Sequence, residues 1–301
     1  MKKFIITILK FGLPILASFI ICSFLLKKMV DTNCSYQLEK KYTTIILGHS
    51  QPEQALNDSL IQNTKNLCSG GEAYVYTLQK LKKVTSENPQ VKTIILSFSN
   101  NQIEGRMNDW TFDEASMNSN YAKYSFMMDK EDYALFIKNS FKNFLSAELK
   151  GIIMNLKCTY KAENRIQNKD FGGYLYKSKS KIDSLISHHY IEQLKKRELL
   201  PVSDVNILYL KKIVAFCKVK KLKLIFVRLP VHKMYFNIVN ENAYQNIRKL
   251  NFNDITFIDL HDYPISNAEF GDFVHLNYKG ARKLSLYFND LLKNSHQITT
   301  N

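Results

Sequence analysis

The stretch that decides the fold is residues 43–55, which read TTIILGHSQPEQA. It begins as a short apolar run with β-branched residues and stops at Gly48. A run of this kind is typical of a strand buried on both faces of a parallel sheet. The residues that follow predict a helix, because Ser50 and Glu53 have the spacing of a capping box and Pro52 is tolerated in a first turn. The sequence therefore predicts a strand and a helix joined by a tight turn, with Ser50 capping the helix.

Strand-like and helix-like segments alternate along most of the chain. Buried strands are predicted at 43–47, 91–97, 222–229 and 255–261, with a short fifth apolar stretch at 66–68. Amphipathic helices are predicted from residue 53 onward and over about 73–84, 131–149, 203–222, 235–250 and 278–293. This alternation predicts an α/β fold with a doubly wound, flavodoxin-like parallel sheet of five strands in three layers. Residues about 100–200 break the rhythm, and we expect a helical insertion that acts as a cap or lid, since ordinary α/β loops are short.

The N-terminus carries a candidate membrane segment. Residues 4–26 are apolar except for Lys10, and a helix of this length can cross a hydrocarbon core of about 30 Å. Its length and the lack of a small-x-small cleavage site favour an uncleaved signal-anchor. We therefore expect a membrane anchor at 1–28, a tether at 29–41 and one folded domain at 42–301.

The chain is strongly basic, with 42 Lys and Arg against 27 Asp and Glu, a formal charge of +15. Such a field suits anionic glycans, lipid head groups or nucleic acid, although a merely solvated basic face would give the same count. No zinc-finger, RNA-recognition or basic-zipper pattern favours nucleic acid. The five cysteines have no C-x-x-C spacing, and His188-His189 has no third ligand nearby. We therefore expect no metal, no cofactor and no nucleic-acid partner.

A second motif stands before the last predicted helix, where residues 271–280 read GDFVHLNYKG. Asp272 and His275 are three residues apart on a loop, so the carboxylate can fix the imidazole tautomer and leave the other ring nitrogen as a base. A serine hydroxyl needs such a base to become a nucleophile. Ser50 and this loop would share the carboxyl edge of the sheet, where ligands of such folds bind. The plain alternatives are a surface histidine in a turn and a helix N-cap at Asn277.

These two motifs together resemble the SGNH, or GDSL-like, hydrolase superfamily of esterases, lipases and acetyltransferases. The resemblance covers about residues 43–99 and 203–293 and leaves the insertion uncovered. It implies that Ser50 is the nucleophile, His275 the base and Asp272 its orienting carboxylate. An anchor followed by such a domain is similar to the membrane-anchored bacterial envelope branch, to which D-alanyl-lipoteichoic acid transfer and alginate O-acetylation proteins belong.

The resemblance also implies an oxyanion hole. In the family this hole uses the amide of the serine, a glycine after the second strand and an asparagine after the third. The glycine corresponds to Gly70 or Gly71, and the asparagine to Asn100 or Asn101. Two features depart from the family pattern: His49 replaces the usual Asp beside the serine, and SFSNNQ lacks the Gly-x-Asn-Asp form. A non-catalytic member of the superfamily remains an alternative.

The sequence thus predicts a membrane-anchored serine esterase or O-acyltransferase that acts through an acyl-enzyme. Its expected location is the bacterial cytoplasmic membrane, with the folded domain outside the cytoplasm and residues 4–26 in the bilayer. Expected partners are an envelope polysaccharide or glycolipid substrate and a membrane protein that donates the acyl group. Arg228 and His232, after a predicted strand, could bind an anionic acceptor, or form a structural salt bridge. The competing function is envelope glycan binding or assembly without turnover.

Overall fold

The computed structural model describes residues 2–33, 35–160, 168–178, 182, 201–236 and 239–298. The chain forms two compact units. One comprises residues 1–35 and 112–167 and is called the helical unit. The other comprises residues 36–111 and 168–301 and is called the sheet unit.

The sheet unit contains five parallel strands in the order β2-β1-β3-β4-β5. The strands are β1 (Thr44–Leu47), β2 (Thr64–Asn66), β3 (Thr93–Ser97), β4 (Lys223–Arg228) and β5 (Thr256–Asp259). Every residue of β1 and β3 is buried, as the continuous apolar runs predict for central strands of a parallel sheet. The predicted α/β fold with a flavodoxin-like order of five parallel strands is confirmed.

Helices of the sheet unit join these strands. They are α2 (Ser50–Ala55), α3 (Tyr74–Glu87), α4 (Asn100–Ile103), α5 (Arg106–Phe112, whose last residue belongs to the helical unit), α9 (Asp204–Val219), α10 (Lys233–Phe236), α11 (Glu241–Asn251) and α12 (Tyr278–Ile298). Helix α3 packs on α9, and α2 packs on α12. Because α2 follows β1 and α12 ends the chain, the second pairing joins the start of the fold to its end. The predicted helix at 235–250 is wrong as a single element, since α10 and α11 are separate.

The core on one side of the sheet comes from alternate strand residues. Ile46, Ile95 and Ile225 pack with apolar residues of α12, including Leu284 and Phe288. Alternation places the intervening strand residues on the opposite face. The period of two along each strand therefore supplies apolar side chains to two helical layers.

The helical unit is built from α1 (Lys2–Asn33), short helical turns between Glu114 and Met127, and α8 (Lys130–Tyr160). The turns are α6 (Glu114–Ser116), a π-helix (Met117–Tyr121), α7 (Ala122–Tyr124) and a 3-10 turn (Ser125–Met127). Within the described residues, Lys10–Asn33 is the one stretch long and apolar enough to cross a membrane, with a mean hydropathy of 1.9. Helix α1 continues to Asn33, so the first residues of the expected tether are helical.

A buried ion pair stabilises the loop that follows β2 in the sheet unit. Lys80 and Glu72 are fully buried, with Nζ and Oε2 2.6 Å apart. The ammonium group also donates to the carbonyl oxygens of Leu67 and Phe171. A buried charge is tolerated only when it is paired and hydrogen-bonded. Lys80 therefore joins the loop after β2 to the chain that re-enters the sheet unit near residue 171.

We expect Lys80→Met to lower the free energy of unfolding by about 3–5 kcal/mol, because the Glu72 carboxylate would remain buried without its partner. The double variant Glu72→Gln/Lys80→Met should recover much of this loss, since it removes both charges. Urea denaturation in detergent, followed by circular dichroism, measures the difference. A single variant as stable as the parent protein would contradict the assigned role of the pair.

Candidate active site

A glycine turn positions Ser50 at the carboxyl end of β1. Gly48 has a φ of +147°, and a Cβ atom on it would lie 2.6 Å from Cβ of Ser97. Only glycine fits such a contact without a backbone shift. The turn lets the chain leave the central strand and begin α2 directly above the sheet edge.

The capping-box prediction for Ser50 is wrong. His49 is the N-cap of α2, since its Nδ1 atom accepts from the amide of Gln51 at 3.2 Å. Ser50 is the first helical residue, so its hydroxyl does not cap the helix. The carboxylate of Glu53 accepts from the amide of Gly70. The hydroxyl of Ser50 is therefore available for another partner.

That partner is His275. The Ser50 Oγ and His275 Nε2 atoms are 2.8 Å apart, although the residues are separated by 225 positions in the chain. The other ring nitrogen, Nδ1, lies 2.9 and 3.0 Å from the two carboxylate oxygens of Asp272. An ionised carboxylate can only accept, so Nδ1 carries the proton and Nε2 presents its lone pair to the serine hydroxyl. The three residues have the geometry of a nucleophile, a base and an orienting acid.

The loop that holds Asp272 and His275 is fixed at both ends. One carboxylate oxygen of Asp272 accepts from the amides of Val274 and His275, each at 2.9 Å. Asn277 caps α12, because its Oδ1 atom accepts from the amides of Lys279 and Gly280. Its Nδ2 group meanwhile donates to carbonyl oxygens of the same loop. The predicted N-cap role of Asn277 is thus confirmed, and it positions the loop as well.

A lysine completes the surroundings of Asp272. The Lys177 ammonium donates to Oδ2 of Asp272 at 2.5 Å. Burial raises the pKa of the Asp272 carboxyl, but the hydrogen bond and charge of His275 and the bond from Lys177 outweigh it, and the pKa lies well below its usual range. The carboxylate therefore stays ionised and can stabilise a positive imidazolium beside it.

Lys177 belongs to a segment that we call the strap, residues 171–178. The amide of Gly173 donates to the Cys68 carbonyl at 2.9 Å, and the amide of Leu175 donates to the Glu53 carbonyl at 2.8 Å. The carbonyl of Lys177 accepts from the amide of Tyr278 at 2.9 Å. The strap thus connects the chain after β2, helix α2 and the start of α12.

The sequence patterns did not single out Lys177, and the one available signal was Gly172-Gly173. Gly172 has a φ of +115°, and a Cβ atom there would lie 1.9 Å from the Cys68 carbonyl oxygen. A pair of glycines can mark a close approach between two backbones. It does not reveal which side chain is delivered to the site.

The candidate oxyanion donors differ in availability. The Ser50 amide, at the start of α2, has no hydrogen-bond acceptor among the described residues. The Gly70 amide is occupied by Glu53, whose pKa is raised chiefly by burial although this hydrogen bond lowers it. Gly71 has a φ of +69° and open space where a side chain would be. Use of the Gly70 amide in an oxyanion hole thus requires movement of the Glu53 carboxylate.

The two asparagine candidates have different surroundings. Asn100 is buried between Arg228 and Glu241, with Oδ1 accepting from the guanidinium at 2.6 Å and Nδ2 donating to the carboxylate at 3.0 Å. Asn101 is half-buried, and its Oδ1 atom accepts from Ser99 Oγ at 2.6 Å. Its Nδ2 group has no acceptor within the parts of the chain that the structure describes. Asn101 is therefore the better candidate donor, and Asn100 is structural.

His49 connects the nucleophile turn to Asn101. Since Nδ1 accepts from Gln51, Nε2 carries the proton and donates to Ser99 Oγ at 3.2 Å, and Ser99 donates in turn to Asn101. His49 is 1% exposed. Burial, with a smaller contribution from the charge of His275, lowers the pKa of His49 to about 3. The ring is therefore neutral at the position beside Ser50.

Arg228 and His232 do not lie in the site as anion-binding groups. Arg228 is 2% exposed, and its guanidinium pairs with Glu241 and with Asp259. His232 is buried, with Nε2 3.0 Å from Oδ1 of Asn267. Both side chains are buried and hydrogen-bonded within the fold, so the prediction of substrate binding is corrected in favour of structural roles. His188 and His189 lie outside the described residues.

We expect the stability of the protein to fall as the pH drops from about 6.5 to about 3, because the unfolded chain takes up a proton on His49 that the folded chain refuses. Asp272, with a lowered pKa, adds a further loss as the pH falls below its unfolded value near 3.8. In His49→Asn the amide oxygen can still cap α2, and the slope between pH 6.5 and 4 should become shallower. Thermal unfolding across this range measures it, and equal slopes in both proteins would contradict the assignment.

Comparison with known proteins places the chain in a family. One protein-family model matches residues 80–297, well over half of the chain, a range that includes Asp272 and His275. No curated protein matches. Among solved structures, the chain is similar to a candidate acylhydrolase from Bacteroides fragilis, at 10% identity, a TM-score of 0.36 and coverage of 86% of this chain and 88% of that one. It is also similar to a GDSL-like lipase from Bacteroides thetaiotaomicron, at 10% identity, a TM-score of 0.33 and coverage of 91% and 98%. The chain belongs to the family that the matching model defines over residues 80–297.

Proposed function

We propose that this protein is a serine esterase or O-acyltransferase with Ser50 as its nucleophile. The observation that carries the proposal is the continuous hydrogen-bonded series from Ser50 Oγ through His275 to Asp272. Two of its links are 2.8 and 2.9 Å long. A base within such a distance can remove the hydroxyl proton as the oxygen attacks. The resemblance of both sequence motifs to the SGNH superfamily supports the same reading.

The reaction follows from the positions of the protons. His275 Nε2 takes the proton of Ser50 Oγ while the oxygen attacks an ester carbonyl, and Asp272 stabilises the resulting imidazolium. The Ser50 amide and the Nδ2 group of Asn101 are the donors available to the oxyanion. The imidazolium then gives its proton to the departing alcohol, which leaves an acyl-enzyme. Water or a sugar hydroxyl, deprotonated by His275, releases the acyl group.

The proposed location is the bacterial cytoplasmic membrane, with α1 as the anchor and the sheet unit outside the cytoplasm. The proposed substrate is an envelope polysaccharide or glycolipid, and a membrane protein is the proposed acyl donor. Support comes from the apolar stretch of α1 and from the net charge of +15, which attracts anionic polymers and lipids. The chemistry of the triad itself is the same whether water or a sugar accepts the acyl group.

The second candidate function is envelope glycan binding without turnover. It is favoured by one observation, the contact of the Glu53 carboxylate with the Gly70 amide. A carboxylate in that position withholds a donor and places negative charge beside the nucleophile turn, which disfavours a developing oxyanion. The two functions differ in whether Ser50 reacts.

A fluorophosphonate probe separates these functions, since it reacts covalently with activated serines. We expect the full chain in detergent to be labelled, and labelling to fall by about 10⁴-fold or more in Ser50→Ala and His275→Ala. Ser59→Ala, which changes an exposed serine of the same unit, is the matched control and should be labelled normally. A folded parent protein that stays unlabelled would favour the binding function.

Lys177 should contribute to the rate without being the base. We expect Lys177→Met to reduce the second-order rate of probe labelling about tenfold, in keeping with a partly exposed charge-assisted hydrogen bond to Asp272. The acidic limb of the pH profile should also move to higher pH, because loss of a nearby positive charge makes protonation of the site easier.

Two further variants test this role of Lys177. Lys177→Arg keeps the charge and should retain most of the rate. Lys279→Met removes an exposed lysine near the start of α12 and should leave both rate and profile unchanged. If Lys177→Met matched the parent protein in rate and in pH profile, the lysine would have no part in orienting the triad.

A further inference from the structure

The outer face of α8 is an apolar stripe. From Phe141 onward its members recur every three or four residues, so they share one side of the helix. All are exposed, with relative accessibilities between 43% and 88%. The stripe comprises Phe141, Leu145, Leu149, Ile153, Leu156 and Tyr160. A contiguous apolar surface of this length on a helix indicates contact with something other than water.

The inner face of α8 carries a buried acidic residue among small side chains, namely Ala147, Gly151 and Cys158. The carboxylate of Glu148 is buried and accepts from Ser23 Oγ at 2.6 Å, from Lys27 Nζ at 2.6 Å and from the Tyr121 hydroxyl at 2.7 Å. Lys27 also donates to the hydroxyl of Tyr133 at 2.8 Å. Because Ser23 and Lys27 belong to α1, this buried cluster joins α8 to the candidate membrane helix.

Helix α1 shows the same arrangement. Its Ser23 and Lys27 side chains are buried, whereas apolar side chains of the same part of the helix, including Ile20 and Phe24, are more than half exposed. In the helical unit, Lys27 and Glu148 are therefore buried against each other, whereas many apolar side chains of both helices are exposed. Such an inverted distribution is expected where hydrocarbon surrounds a structure, because charged groups there must find partners inside the protein.

The charges beside the stripe indicate how deep α8 lies. Lys142, Lys150 and Lys157 are exposed next to stripe residues, and the buried Glu148 is the only acidic residue between positions 141 and 160. Three exposed lysines make a second membrane span unfavourable. They suit a helix in the plane of the interface, where lysine side chains reach the anionic head groups and apolar ones enter the acyl region.

We infer that α8 is an in-plane membrane helix that lies against the same bilayer as α1, with the stripe in the acyl region and the lysines at anionic lipid head groups. The inference rests on α1 as a membrane anchor and is independent of the chemistry at Ser50. It adds a second lipid contact to a chain in which the sequence showed one apolar segment.

Tryptophan fluorescence in vesicles with brominated acyl chains tests this contact. In a Trp110→Phe background, a single tryptophan replaces Phe141 or Leu149 in the full chain, reconstituted in phosphatidylcholine and phosphatidylglycerol. Phe11→Trp reports on α1, and Leu250→Trp, at an exposed position of the sheet unit, gives the level for an aqueous site. We expect Phe141→Trp and Leu149→Trp to lose most of their fluorescence, as Phe11→Trp does.

The other outcomes overturn the inference in distinct ways. Quenching of Phe11→Trp alone would show that α1 lies in the membrane and that α8 does not. Absence of quenching at all three positions would show that neither α1 nor α8 lies in the membrane. Protection of Phe141→Trp and Leu149→Trp from brominated lipid and from aqueous iodide alike would show that protein, such as a second copy of the chain, covers the stripe.

The lysines have a separate test. In the Phe141→Trp chain, the pair Lys142→Glu and Lys150→Glu should weaken quenching in vesicles that contain phosphatidylglycerol, because like charges repel. Equal quenching with and without the substitutions would contradict the role of the lysines at the head groups.

Discussion

The site depends on one constraint, the placement of the turn after β1 and of the loop before α12 at the same carboxyl edge of a parallel sheet. Strand β1 is central and ends in the Gly48 turn, and α12 returns to pack against α2. A hydrogen bond supports that packing: the Asn57 amide, just after α2, donates to Ser285 Oγ of α12 at 2.8 Å, while the Ser285 hydroxyl donates at 2.6 Å to the Ala281 carbonyl of its own helix. The bond between the two segments involves neither Ser50 nor His275. It helps to hold the helix that begins at Ser50 against the helix that follows His275.

The sequence made the central strands and the Asp272 and His275 pair predictable because each is signalled locally, whereas the link to Ser50 followed from the shared sheet edge and the family resemblance. A strand buried on both faces needs an uninterrupted apolar run, and an oriented histidine needs a carboxylate close in the chain. The N-cap was not resolved in the same way. The capping-box spacing pointed to Ser50, and only the folded turn shows that the His49 ring reaches the Gln51 amide. Spacing alone cannot rank two adjacent candidates.

Lys177 and Arg228 show two ways in which prediction of the site from sequence fails. Lys177 meets Asp272 through the strap, a segment without periodicity, so no sequence pattern predicts the pair. Arg228 is the last residue of β4, at the same edge of the sheet as the site, yet its guanidinium binds Asn100 and pairs with Glu241 and Asp259. An arginine that binds this many acceptors within the protein stabilises the fold and has little capacity left to bind a ligand. The roles of Lys177 and Arg228 both depend on partners elsewhere in the sequence, and composition does not identify those partners.

The neutral ring of His49 gives the site one negative charge fewer than a carboxylate at the same position would. A carboxylate beside the nucleophile would cap α2 equally well, but it would bring a second negative charge close to where an oxyanion forms. The neutral ring supplies the same cap without that charge, and its other nitrogen orients Ser99 and through it Asn101. Asp272, held ionised by His275 and Lys177, is then the carboxylate that faces the base. In the proposed mechanism the departure at His49 thus leaves the direction of proton transfer unchanged, from Ser50 to His275.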